Sequence, residues 1–278
     1  MKIVSTGSTL SSPEFHQKKR KAKKRKLILW SIWIVALLTL LIFLARMEQF
    51  RISVVDVAGA NVVPKEMVLA VVEDAISGYY FWVIPRDNAL IYPRHLVRNM
   101  LERKFPRFSL VNLSLSGLKT LEVNVIEREP FALYCESALR PEDAAACYFL
   151  DDTGFIFDQA PSFSGTVYFI YATETPLEEP LGKQYLSDTE FKPLARFISQ
   201  LAELGIQPLA LETSQDEFRL ILPHDARIIL RRSSDLDIIY TNLEVFLNND
   251  DIKKQGDFLE KLNLLDLRTE NKIRWTFK

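Results

Sequence analysis

The chain has 278 residues with 48% hydrophobic and 26% charged side chains, an ordinary globular composition that accommodates one or two domains of about 100–200 residues with a real core. The formal net charge of −1 conceals a separation: residues 1–26 hold nine Lys/Arg and one acid, net +8, and the other 252 residues carry 26 bases and 35 acids, net −9. A basic tail on an acidic body, with the apolar run described next, excludes reading "KKRKAKKRK" as a nucleic-acid or nuclear-import patch.

Residues 1–17 show little periodicity and read as a disordered cytoplasmic tail. Residues 27–45, "LILWSIWIVALLTLLIFLA", contain no charge over 19 positions. As a helix they span roughly 28 Å, close to the hydrocarbon thickness of a bilayer. Trp30 and Trp33 lie near the basic end, where indole rings favour the membrane interface. The eight Lys/Arg of residues 18–26 hold that end in the cytoplasm, so the body is expected on the far side of a cytoplasmic membrane, in contact with lipid through this single pass. A cleaved signal peptide is the rival, but the run is too long and no small-x-small site follows Ala45.

Residues 50–57, "FRISVVDV", predict a strand, and Pro64 opens a helix in which Met67, Val68, Val71, Val72 and Ala75 recur at helical spacing. "YYFWVIP" forms an aromatic connection. Pro93 opens a second helix with Leu96, Val97, Met100 and Leu101 on one face, followed by two strands. In the second strand Leu121, Val123 and Val125 alternate with polar residues. The order over residues 50–127 is strand, helix, helix, strand, strand, a compact α+β unit.

Residues 128–278 read differently. Short strands are expected at 131–135, 147–150, 155–157 and 166–171, with "DDTG" at 151–154 as a turn. A helix runs from about Glu190 to Leu204 and stops at Gly205. Strands follow at 217–222 and 227–231. Ser234 with Asp237 resembles a capping box before a helix carrying Leu236, Ile239, Tyr240, Leu243 and Leu247. A closing hairpin joins 264–267 to 273–277 through "RTEN". The expected fold is a mostly antiparallel sheet with helices on one side.

Cys135 and Cys147 flank an insert between two strands that are candidate neighbours, in a compartment that permits disulfides. A bridge there stabilises by roughly 3 kcal/mol, and the alternative is two inert thiols. Chemistry-bearing motifs are sparse. His16, His95 and His224 are scattered, and no nucleophile elbow, P-loop or dinucleotide fingerprint occurs. The acids after Cys147 would raise its thiol pKa rather than activate it. No catalytic, metal or cofactor residue is assigned. Asp151 and Asp152 read as turn residues before metal ligands. Glu127 and Arg128 in "IEREP" mark a junction across which they pair with each other. Asp266 and Arg268 share a strand face as an ion pair that orients the final hairpin.

These pieces together carry a resemblance. The basic tail, the single span, "FRISVVDVAGANVVP", "LEVNVIEREPFALY", "YFLDDTGFIFD" and "LLDLRTENKIRWTFK" resemble, in order and nearly end to end, the FtsQ/DivIB family of bacterial cell-division proteins. Thr269 stands where the family usually places an aromatic, and the cysteine-flanked insert is not a general family feature. The resemblance implies a POTRA domain over residues 50–127 and a β domain over 128–278. It implies a non-enzymatic divisome scaffold at the septum, without cofactor, that binds an FtsB/DivIC-type bitopic coiled-coil protein through its last strands and other division proteins through the rest. Arg268, Ile273, Arg274, Trp275 and Phe277 are then the candidate partner contacts, with core packing as the competing role for Trp275 and Phe277. The acidic body suggests a partner that brings basic residues. Two other classes remain alongside: a POTRA-bearing export or outer-membrane assembly component, and a membrane-anchored thiol enzyme.

Overall fold

The computed structural model describes residues 13–138, 146–161, 167–253, 258–269 and 272–278, with side chains of the first helix from Lys23 onward. Two compact units divide the chain: one takes residues up to 58, 65–98 and 112–124, and the other takes 59–64, 99–111 and 125–278. The fold is α+β, with one apolar N-terminal helix and large mixed sheets.

Helix α1 (Pro13–Ala45) begins earlier than a disordered tail through residue 17 allows. Proline is tolerated at a first helical position, where its missing N–H costs nothing, and the basic run continues as helix into the apolar stretch. The stretch Lys23–Ala45 is long and apolar enough to cross a membrane, and none of it is buried in the protein.

The strand expected from Phe50 starts four residues later. Residues Glu48–Phe50 form a 3-10 turn, and Arg51 makes only an isolated bridge to Asn88 before β1 (Val54–Ala58). The cause is tertiary: Phe50 accepts from Ala89 N at 2.8 Å, and Arg51 pairs with Asp87 at 2.7 Å. Helix α2 (Lys65–Ile76) buries Val68, Val71, Val72 and Ala75 and leaves Met67 outside. The aromatic connection contains a small hairpin, β2 (Tyr79–Tyr80) with β3 (Ile84–Pro85), that the sequence reading did not include. Helix α3 (Arg94–Lys104) buries Val97 and Leu101 but exposes Leu96. Strands β4 (Phe108–Ser116) and β5 (Thr120–Glu127) follow. The sheet order is β1-β5-β4, with β1 parallel to β5 from Val54↔Thr120 to Ala58↔Asn124. The helices supply the connection that a parallel pair requires.

Among the described residues a nine-stranded sheet dominates the second unit. Its strands are β6 (Ala132–Cys135), β7 (Cys147–Leu150), β8 (Ile156–Gln159), β9 (Ile170–Thr173), β10 (Ala210–Thr213), β11 (Glu217–Ile221), β12 (Arg227–Arg231), β13 (Leu262–Thr269) and β14 (Lys272–Phe277). They stand in the order β14-β13-β12-β11-β10-β9-β6-β7-β8. Of eight neighbouring pairs, five are antiparallel and three parallel (β6 with β9, β9 with β10, β12 with β13). Two of the parallel pairs are joined by helical crossovers: α4 (Asp188–Leu201) leads from β9 to β10, and α5 (Leu236–Leu247), α6 (Asp250–Lys253) and α7 (Phe258–Lys261) lead from β12 to β13. β10 went unpredicted because four residues between helix and strand carry no alternation long enough to read.

The core gathers Phe191, Leu194, Phe197 and Leu201 of α4 with Leu243 of α5 against Tyr134, Tyr171, Leu211, Leu220 and Leu230 of the sheet. The opposite face carries a smaller cluster that includes Leu133, Cys135, Ile170, Ala172 and Ala210. Helix α4 continues through a 3-10 turn to Leu204, and Gly205, at φ 75°, ends it. Helix α5 is capped by Asp235, one residue beyond the expected Ser234; its carboxylate accepts from Asp237 N and Ile238 N. Aspartate reaches two successive amides from that position, so no capping box is needed.

Candidate functional site

Strand β14 stands at one end of the sheet and, among the described residues, has a strand neighbour on one side only. It pairs antiparallel with β13, with Leu265↔Trp275 and Asp266↔Arg274 in register and irregularities on either side of these pairs. Strand β13 is anchored by parallel pairing to β12 and by buried Leu262, Leu265 and Leu267. The ribbon is therefore fixed on its inner side. Among the described residues, residues 272–277 make no backbone hydrogen bond outside the pairing with β13.

The sequence-assigned residues converge here. Trp275 and Phe277 remain 40% and 43% exposed while packing on helices α5 and α7. The Trp275 ring lies 5.1 Å from Phe246 and 6.2 Å from Phe258, and Phe277 lies 5.6 Å from Phe258. Both thus combine the two roles that alternation left open: one side of each ring closes the core and the other is offered outward. Ile273 is partly buried against the same core. Lys272, Arg274 and Lys278 are exposed, so the edge itself is cationic although the body is acidic. That local charge reverses the expectation of a basic partner, because contact electrostatics are set by the groups at the interface rather than by the sum over the unit.

Arg268 is committed internally. Its Nε and Nη2 donate to the two carboxylate oxygens of Asp266 at 2.9 and 2.8 Å, and Nη1 donates to Glu217 Oε1 on β11 at 2.8 Å. Hydrogen bonding from Arg268 holds the Asp266 carboxyl below the usual carboxylate range, and the two acids raise the Arg268 guanidinium above its ordinary value. Chemically this is a fork-to-carboxylate tie that braces the turn end of the hairpin against β11.

Glu127 and Arg128 do not pair with each other. The Glu127 carboxylate accepts from three successive amides, Asn61, Val62 and Val63, at 3.0–3.1 Å. Arg128 pairs with Asp151, donates Nε to Pro106 O at 3.2 Å and lies over the Phe155 ring at 4.3 Å. Successive residues of an extended segment project to opposite sides, which separates them. Asp151, 4% exposed, also accepts from Thr153 N, Thr153 Oγ1 and Phe155 N through Oδ1. Burial pushes its pKa up, but these hydrogen bonds and Arg128 outweigh that and leave it below the usual range. It is a turn residue, as the motif suggests, and among the described residues no cluster of three or more His, Cys, Asp or Glu is placed to hold a metal.

Cys135 and Cys147 face each other across β6 and β7 with Cα atoms 4.3 Å apart, and their sulfurs are bonded. Residues 139–145 of the insert they close lie outside the described residues.

The other end of the sheet carries a feature that the sequence did not reveal. Beyond β8, the segment around residue 183 pairs back: Gly182 N donates to Ile156 O at 2.8 Å, Ile156 N donates to Lys183 O at 2.9 Å, and Phe155 bridges Gln184. Arg107 closes the same strand by pairing with Asp158 at 2.7 Å and lying over Phe157 at 5.1 Å. No local signal marks these contacts, because the partners are about 25 to 50 residues apart in the chain.

No protein-family model matches this chain, and no curated protein matches it.

Proposed function

We propose that this protein is a membrane-anchored, non-enzymatic scaffold of the bacterial division machinery, of the FtsQ/DivIB type, with a POTRA-like module followed by a β module. In this reading α1 spans the cytoplasmic membrane with its basic end inside, the exported modules gather at the septum, and β14 receives an extended segment of an FtsB/DivIC-type bitopic partner. The observation that carries it is the uncovered strand at the C-terminal end of the nine-stranded sheet, bearing two half-exposed aromatics. Unpaired edge amides and carbonyls add a strand from another chain, and side chains at alternate positions select which one. Lys272, Arg274 and Lys278 favour a partner strand with acidic residues and disfavour edge-to-edge pairing of two copies.

The test is a pull-down from bacterial membranes with the full chain and with a chain lacking residues 273–278. Loss of the bitopic partner from the shortened chain, with membrane retention unchanged, is the expected result. Equal capture by both chains refutes the docking role. Midcell enrichment of a fluorescent fusion in dividing cells separates this reading from a general export component, which would light the envelope evenly.

A further inference from the structure

We infer that the β2–β3 turn is a second membrane contact: Phe81 and Trp82 insert into the interface of the outer-facing leaflet beside the end of α1. This inference rests on reading residues 27–45 as a bilayer span.

The turn is built against folding preference. Val83 N donates to Tyr80 O at 3.0 Å, closing a β-turn within the three-residue loop between β2 and β3; its central residues are Phe81 and Trp82, with φ of 48° and 65°. Hairpin turns with positive φ at both central positions favour Asn-Gly, because bulky side chains are strained there. The two rings are 91% and 94% exposed, so they contribute almost nothing to the core. Folding therefore explains neither the residue types nor their backbone.

The turn's position supplies the explanation. Arg46, immediately after α1, donates Nε to Val83 O at 2.9 Å. Asn88, nearly fully buried, donates Nδ2 to Ala45 O, the last carbonyl of α1, at 2.9 Å and accepts from Leu90 N at 2.9 Å. Val83 of the turn and Asn88 of the loop after it are thus tied to Arg46 and Ala45, where the apolar stretch ends. Between Trp33 and Tyr79 the sequence contains no Trp or Tyr, so the span has its amphipathic aromatics at the basic end only. The fold brings Tyr79, Phe81 and Trp82 to the opposite end, and Leu90 is exposed close by. Indole and phenol rings at both boundaries of a span are the arrangement that interfaces favour. Arg46 adds a cation at headgroup level, where lipid phosphates lie.

The experiment uses the full chain in vesicles containing phosphatidylcholine brominated close to the headgroup. Three single-tryptophan chains are compared, each with the other three tryptophans changed to Phe, retaining Trp82, Trp30 or Trp275. Trp30 reports the span itself, and Trp275 supplies a half-exposed ring outside the span for comparison. Quenching of Trp82 close to that of Trp30 and several-fold above that of Trp275 is the expected result. Quenched Trp30 with Trp82 no more quenched than Trp275 overturns the second contact and leaves the anchor standing. Unquenched Trp30 overturns the anchor, and this inference with it. Trp82→Gly in the otherwise unchanged chain is a second check that suits the backbone conformation; it should remove a shallowly quenched component, and an unchanged quenching profile overturns the inference.

Discussion

The two ends of the nine-stranded sheet meet the same physical problem in opposite ways. At β8 the chain returns, and residues 182–185 take up the amide and carbonyl of Ile156 and the carbonyl of Gly154 while Arg107 secures Asp158. At β14 the outer side has no strand neighbour among the described residues; the strand carries Lys272 and Arg274, irregular register and two half-exposed rings. An end sealed by its own chain draws stability from burial. An end protected by charge and irregularity avoids self-pairing but stays able to accept a suitable strand. In the proposed function the difference separates a structural margin from a recognition margin within one sheet.

The contrast can be broken from the sealed side first. Gly154 adopts φ 82°, and a Cβ there would sit 2.7 Å from the Phe191 ring in the core. Gly154→Ala should therefore lower stability by about 3 kcal/mol or more, read as a fall in the unfolding midpoint, because strain and overpacking act together. The bridge between β6 and β7 comes next. Cys135→Ser and Cys147→Ser should each cost about 3 kcal/mol, and alike, because either loss frees the same loop in the unfolded chain. A marked inequality between them would point to a separate role for one sulfur. Arg128→Ala should cost about 2 kcal/mol, since Asp151 stays buried but keeps its bonds from Thr153 and Phe155.

At the recognition margin the stability effects shrink and the binding effects should grow. Trp275→Ala is expected to cost about 1 kcal/mol of stability, because only part of the ring is buried. Partner capture should fall about tenfold or more, as is usual for a central aromatic anchor. Equal binding by this variant and the parent would remove Trp275 from the docking surface.

Acid sharpens the comparison further. Asp151 and Asp266 both have folded-state pKa values depressed below the unfolded value of about 3.9. Their contribution is fully present above the unfolded pKa and is lost as pH falls through the lower folded value. Stability should therefore decline below about pH 4, and Asp151→Asn and Asp266→Asn should each flatten that decline. Denaturant midpoints across pH 2–6 would test this, and a pH dependence in either variant as steep as in the parent chain would contradict that carboxylate's contribution.

Local pattern by itself determined much of this protein: the apolar helix, the alternation of β5, the stripe and glycine stop of α4, the turn at Asp151 and the closing hairpin. Each depends on neighbours a few residues away, and there propensity and periodicity act. Only the tertiary structure decided that β9 lies between β6 and β10, that Glu127 serves three amides at 61–63 while Arg128 serves Asp151, that one sheet end is sealed, and that an aromatic turn is tied to the end of α1. Those outcomes depend on which distant backbone groups and charges come together when the core closes, and a short window of sequence holds no record of that choice.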